Sequence, residues 1–155
     1  MEGIDLDNLS TEEQNTIFAL PFYVAILIAS ADGRIDDSEI KKTISIVKEQ
    51  TRKETQPSLT QYYNNIYEDF EDKLKIIISN TPQKNTERSL YLSKKIIDAN
   101  VVLKKLDKSF VADLHSSLRN LARQIAMASG GVLGYGSIGE EELSLIGLNF
   151  LDSAT

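Results

Sequence analysis

The stretch IFALPFYVAILIA, residues 17–29, is the longest apolar run in the chain, and the rest of the fold must be built around it. Its thirteen residues fall short of the roughly 18 to 20 that a helix needs to span a bilayer. The residues before it are acidic rather than basic, which argues against a secretory signal. We therefore predict a buried helix and expect a cytoplasmic protein.

The sequence also indicates where this helix begins and where it is interrupted. Ser10 is followed three residues later by Glu13, the spacing of a capping box, so we expect the helix to begin at Ser10. Pro21 lacks a backbone N–H and should either kink the helix or divide it into two.

Beyond this helix, apolar residues recur at three- and four-residue spacing, which predicts an all-α fold. We expect a single domain over residues 1–155, a compact bundle of about six to seven helices. Pro82 should start one helix, which runs through Tyr91, Ile97 and Val101 towards Leu106, and Asp107 should cap the next. The other predicted segments are a helix over residues 37–50, a loop over 51–60, an apolar helical stripe over 59–80, a glycine-rich loop over 129–139 and a last helix over 140–151.

Composition narrows the classes of function. The 17 basic and 23 acidic residues give a net charge of −6, which repels nucleic-acid phosphates and anionic lipid surfaces. We therefore expect cationic ligands or basic partners, no nucleic acid and no direct membrane insertion. The absence of cysteine excludes disulfides and cysteine-ligated metal centres.

ASADGRIDDSEI, residues 29–40, reads like the second half of a calcium-binding loop. With Glu39 as the twelfth loop position, Asp32 falls at the fifth and Asp36 at the ninth, both of which are ligand positions. Ile28 falls at the first position and cannot bind a cation, so the loop is incomplete. In the alternative interpretation, Asp36 is a helix N-cap and Glu39 its partner at N3, and no ion is involved.

A second segment near the end of the sequence resembles the first. GSIGEEE, residues 136–142, aligns with GRIDDSE, residues 33–39, and places Glu142 on Glu39, although Tyr135 stands where an aspartate would be needed. Two similar helix–loop–helix units predict two pseudo-symmetric halves whose acidic helix N-termini face each other. Glu142 could then supply a ligand that the first loop lacks.

These two motifs, IASADGRIDDSE and IAMASGGVLGYGSIGEEE, resemble those of the TerB family, named for tellurite resistance. The resemblance spans nearly the whole chain. It implies a compact fold of two similar helical halves that bring acidic residues together at a divalent-cation site, usually considered for calcium. By motif position, the ligands implied are Asp32, Asp36, Glu39 and Glu142.

Other motifs give little support for an enzyme. GYGSIG, residues 134–139, matches the dinucleotide pattern GxGxxG, but a predicted helix precedes it and three glutamates that would repel a pyrophosphate follow it. His115 is the single histidine, and its neighbours Asp113 and Ser116 do not share its helix face, so we expect it at the surface or the core boundary.

We therefore predict a non-enzymatic helical domain that binds a divalent cation, with calcium best suited to all-oxygen ligands. By the resemblance, it would act in a bacterial stress response of the tellurite-resistance type. We expect an unidentified protein partner, which could belong to a membrane-associated complex. The alternative is a metal-free protein–protein interaction module whose acidic residues only cap helices, and a hydrolase built on the carboxylates is a third idea.

Overall fold

Six α-helices and no strand make up the part of the chain that the computed structural model describes, residues 8–29 and 36–128. The all-α prediction is confirmed for these residues. The predicted glycine-rich loop, the last helix and the pairing of two halves fall on residues outside them. The helices are α1 (Thr11–Ala29), α2 (Asp37–Lys53), α3 (Pro57–Tyr67), α4 (Phe70–Ser79), α5 (Asn85–Leu103) and α6 (Lys108–Ala128).

The first helix begins as the capping-box spacing predicts. Ser10 N donates to Glu13 Oε1 at 2.9 Å, and Glu13 N donates to Ser10 Oγ at 3.1 Å. These reciprocal bonds satisfy amides that have no partner within the helix. Glu13 Oε2 also accepts from Lys105 Nζ at 2.5 Å, which ties the start of α1 to the chain just after α5.

Pro21 lies inside α1 and does not divide it, because a side chain replaces the missing backbone donor. In a regular helix, the carbonyl of Ile17 would accept from the N–H of residue 21, which proline lacks. The hydroxyl of Tyr62 on α3 donates to Ile17 O at 2.6 Å instead. Of the two predicted outcomes, division of the helix is therefore wrong.

The apolar run forms the centre of the core, as predicted. Every residue from Val24 to Ala29 is buried, and α1 contacts each of the other five helices. A helix that is apolar on all sides is stable only when other elements cover it on all sides. Among the described helices, none is long and apolar enough to cross a membrane.

Two predicted boundaries between helices 2 and 4 need correction. The loop predicted over residues 51–60 is shorter, because α2 continues to Lys53 and Pro57 already occupies the first turn of α3. Arg52 and Lys53 both pair with Glu49, and basic residues also suit a helix C-terminus. The stripe over residues 59–80 forms two helices, since Asp69 leaves the helical region at φ −116° and ψ 28°.

The start of α5 also differs from the prediction, whereas the start of α6 agrees with it. Pro82 lies in the turn before α5, where its carbonyl and that of Gln83 accept hydrogen bonds from the buried Arg88 guanidinium at 3.1 and 2.8 Å. The helix therefore begins only at Asn85. Asp107 caps α6, because its Oδ2 accepts from Phe110 N at 3.1 Å.

Candidate functional site

Asp36 and Glu39, two of the four predicted cation ligands, share the first turn of α2. Asp36 has extended backbone angles, and its Oδ1 accepts from Glu39 N at 2.9 Å. Its other oxygen, Oδ2, accepts no hydrogen bond within the described structure. Glu39 is half-buried, with its Oε2 atom buried. Asp36 is therefore an N-cap, which both interpretations of the sequence allow.

Asp32 and Glu142, the other two predicted ligands, lie outside the described residues. Within residues 8–29 and 36–128, His, Cys, Asp and Glu do not form a group of three or more that could hold a metal ion. The described structure thus places two of the four residues in one helical turn, and the complete cation site stays a prediction.

A second polar site lies where the C-terminal half of α2 faces α3 and α6. Gln50 Nε2 donates to the Ser117 carbonyl at 3.0 Å and lies 2.7 Å from Ser117 Oγ and 3.1 Å from the Tyr63 hydroxyl. The Tyr63 hydroxyl and Ser117 Oγ are themselves 2.5 Å apart. Burial raises the pKa of Tyr63 to about 12, against the lowering effect of the bonds with Ser117 and Gln50. These three residues form a neutral hydrogen-bonded cluster at physiological pH.

The carbonyl of Ser117 determines which way the Gln50 amide points. A carbonyl can only accept, so the amide atom beside it must be the nitrogen. The amide oxygen then points away from the cluster, and Gln50 Oε1 is buried without a hydrogen-bond partner among the described residues. Buried acceptors in native proteins nearly always have a partner, which is often an ordered water.

Gln50 lines an open groove of about 350 Å³, here named the α2–α6 groove. Most of its lining residues are of polar or charged types, and its carboxylates differ in their surroundings. Glu49 pairs with Arg52, whose hydrogen bond lowers the pKa of Glu49. Asp113 is half-buried and takes part in no ion pair or side-chain hydrogen bond within the described structure. The main lining residues are Glu49, Gln50, Lys53 and Glu54 with Asp113, Ser116, Ser117 and Asn120.

Sequence reasoning missed this groove. The sequence predicts Gln50 only as the last residue of a helix, whereas the structure buries it three positions after Val47 and leaves it 8% exposed. The sequence did contain one signal of this burial, because Gln50 continues the helical spacing of the apolar residues of α2. Nothing in the sequence indicated that Asp113, one turn before Ser117 on α6, faces α2. His115 is half-buried, in agreement with the predicted boundary position.

A larger and more apolar groove, of about 500 Å³, lies between α1, α3 and α4. Its lining residues include Phe18, Phe22, Ile66, Lys73 and Ile77. Among the described residues, its lining contains no carboxylate or histidine, and Lys73 is its titratable side chain.

The comparisons with known proteins leave the family open. No protein-family model matches the chain, and neither a curated protein nor a solved structure matches it. The resemblance to TerB proteins accordingly stays a prediction based on the two sequence motifs.

Proposed function

We propose that the chain is a non-enzymatic helical domain that binds a divalent cation, preferably calcium, through Asp32, Asp36, Glu39 and Glu142. The observation that carries this proposal is that Asp36 caps α2 with one oxygen, while its other oxygen accepts no hydrogen bond within the described structure and Glu39 lies in the same turn. Calcium takes 6 to 8 oxygen ligands, so two carboxylates on one turn are a partial site that the remaining residues and water would complete.

Cation binding in this proposal acts as a conformational switch. The ion would neutralise carboxylates from the two ends of the sequence and hold the corresponding segments together. A ligand shifts a conformational equilibrium by its difference in affinity for the two states, so calcium would favour the state in which the ligands converge. A partner protein would bind the surface formed in that state. By the TerB resemblance, the protein would act in a bacterial stress response.

The test is thermal unfolding of the chelator-treated protein with and without calcium, repeated with magnesium and manganese. A ligand that binds only the folded state stabilises it by about 2.7 kcal/mol at a concentration one hundred times its dissociation constant. We expect a calcium-dependent rise in Tm that Glu39→Ala abolishes. Asp37→Ala is the matched control, because Asp37 is an exposed acid in the same turn but outside the loop pattern. Equal responses of the two variants would contradict the proposal.

The second candidate is the metal-free interaction module, which the outer face of α5 favours. Leu90, Ile97 and Val101 recur at spacings of seven and four residues on this helix, and they are 73%, 46% and 65% exposed. The predicted course of the helix included Ile97 and Val101, but its buried face instead contains Leu92, Ile96, Ala99 and Leu103. Apolar side chains aligned on one exposed helix face are typical of helix pairing.

A second copy of the same chain suits this face. Lys94 and Asp98 lie within it and pair with each other at 3.7 Å. In an antiparallel α5 pair centred near Ile96, Lys94 of each copy would lie opposite Asp98 of the other, and Leu90 would lie near Val101. The face is therefore complementary to itself in both charge and apolar contacts.

Sedimentation velocity over a concentration series tests this second candidate. We expect a dimer that Leu90→Glu dissociates. Ile76→Glu is the control, because Ile76 is also an exposed apolar residue, at 58%, but lies on α4. A monomer at all concentrations, or equal effects of the two substitutions, would exclude self-association through α5.

A further inference from the structure

We propose that the larger apolar groove binds a free fatty acid, with the acyl chain against its apolar side chains and the carboxylate paired with Lys73. This groove, here named the α1–α4 groove, is lined by residues of α1, α3 and α4 that include Phe18, Ile66, Lys73, Ile76 and Ile77. The proposal does not depend on the cation site, because the first turn of α2 does not line this groove.

The α1–α4 groove presents apolar surface that a ligand can reach. Ile76 is 58% exposed, and Phe18 and Ile77 are half-buried. Ile76 and Ile77 follow Lys73 by three and four residues on α4, so the three side chains lie on the same side of that helix. Contiguous exposed apolar side chains are typical of a binding site.

Aromatic stacking fixes the shape of this groove before any ligand enters. Phe18 stacks on Tyr62 with ring centroids 5.5 Å apart, and Phe22 stacks on Phe70 with centroids 4.5 Å apart. The lining follows α1 for eight residues, from Gln14 to Phe22, which corresponds to about 12 Å at 1.5 Å per residue. An elongated, preformed groove of about 500 Å³ has the size of a small-molecule site and suits an extended acyl chain.

Lys73 supplies the charge that complements a carboxylate. It is exposed, and it forms no ion pair or side-chain hydrogen bond within residues 8–29 and 36–128. Lys75, two residues later and outside the lining, instead pairs with Glu71 at 2.9 Å. The side-chain amide of Asn15, which also lines the groove, makes no hydrogen bond in the same ranges and can donate. One cation in an otherwise uncharged, apolar lining favours an anion that carries an apolar chain.

A free fatty acid suits the groove better than a bilayer or a second copy of the chain. The net charge of −6 repels an anionic bilayer, whereas a single carboxylate interacts with Lys73 at short range. Self-association is better served by the outer face of α5, which has three strongly exposed apolar residues where the groove has only Ile76.

The test is a titration of the full chain with octanoate, decanoate and dodecanoate below their critical micelle concentrations, followed by two-dimensional ¹H–¹⁵N NMR. A chelator prevents calcium salts of the acids from precipitating and removes any contribution of the cation site. We expect shifts at the side-chain amides of Asn15 and Asn65 and the backbone amide of Ala19. Affinity should rise by up to about fourfold for each added methylene. Decyltrimethylammonium, with a similar chain and the opposite charge, should bind more weakly than decanoate.

Two substitutions separate the charge from the apolar contact. Lys73→Gln should lower the affinity for decanoate about two- to fivefold and remove its preference over decyltrimethylammonium. Lys75→Gln is the matched control, because it removes the same charge from the same helix outside the groove. Ile76→Ser should lower the affinity about fourfold, the equivalent of one buried methylene, and Leu90→Ser on α5 is its control as another exposed apolar residue.

Three results would overturn the proposal: equal binding of decanoate and decyltrimethylammonium, no dependence on chain length, or equal effects of the variants and their controls. A ligand-free dimer that Ile76→Ser dissociates in sedimentation velocity would also overturn it, because a second copy would then cover the groove. Since Lys73 has no partner to lose and Ile76 is exposed, both variants should keep the fold, and their spectra check this.

Discussion

Replacing Tyr62 by phenylalanine should lower the free energy of unfolding, because it leaves the carbonyl of Ile17 without its hydrogen-bond donor. Tyr62 is fully buried, and its hydroxyl donates to Ile17 O at 2.6 Å, where the N–H of a non-proline residue 21 would otherwise donate. Phenylalanine keeps the ring, which stacks on Phe18 with centroids 5.5 Å apart, and removes only the donor. The substitution therefore isolates one hydrogen bond.

The cost follows from the burial of the acceptor. A buried polar group that loses its partner costs about 1–3 kcal/mol, more than the net gain from an ordinary hydrogen bond. For a protein of this size, each kcal/mol lowers Tm by about 2–4 °C. Burial also raises the pKa of Tyr62 well above its ordinary value, so the hydroxyl remains a donor at neutral pH.

A double-mutant cycle with Pro21→Ala tests the reasoning directly. Alanine restores the N–H at position 21, so Ile17 O regains a donor within the helix. Tyr62→Phe should then cost at least about 1 kcal/mol less in the Pro21→Ala background than in the original chain. Urea denaturation followed by far-ultraviolet circular dichroism measures each free energy of unfolding.

Tyr63→Phe provides the control for this cycle. The Tyr63 hydroxyl contacts Ser117 and Gln50 rather than Ile17, so its removal should cost the same in both backgrounds. If Tyr62→Phe also costs the same in both, the hydroxyl does not replace the missing proline N–H, and the explanation for the continuity of α1 is wrong.

Three further predictions concern the core, a turn and the response to alkaline pH. Phe22 is buried and stacks on Phe70 with ring centroids 4.5 Å apart. Phe22→Ala should therefore lower the free energy of unfolding by about 3–5 kcal/mol, measured by urea denaturation. A loss below about 1 kcal/mol would show instead that the neighbouring side chains fill the cavity. Arg88→Lys should destabilise the turn before α5 by about 1–3 kcal/mol, because lysine lacks the planar guanidinium that donates to the carbonyls of Pro82 and Gln83. Faster backbone amide hydrogen exchange in residues 80–84 would show this loss of stability. The pKa of Tyr63 rises from 10.0 to about 12 on folding, so the unfolded chain releases this proton first as the pH increases. The stability that Tyr63 contributes is complete below pH 10 and decreases by up to roughly 3 kcal/mol between pH 10 and 12. Tyr63→Phe should reduce that decrease in pH-dependent denaturation, and an unchanged profile would count against burial as the cause.

Much of the fold could be predicted because its signals are local. The capping box at Ser10 and the cap at Asp107 depend on residues three apart in sequence, and both are present in the structure. The apolar run likewise predicts a buried helix whatever surrounds it. Two helix starts differ from the prediction: α3 begins at Pro57, within the predicted loop, and α5 begins at Asn85, after Pro82. A proline shows where a helix can begin, but the neighbouring residues determine whether it begins there.

The candidate sites divide in the same way. The sequence by itself determined the cap at Asp36, because a helix N-terminus needs an acceptor close in sequence. Only the tertiary structure decided that the Tyr62 hydroxyl would bond to Ile17 O and so compensate for Pro21, and that Gln50 would contact Ser117. Tyr62 and Ile17 are 45 residues apart in the sequence, and Gln50 and Ser117 are 67 residues apart. Such pairings depend on how helices pack, and helix periodicity indicates which face of a helix is buried but not which residue of another helix lies against it.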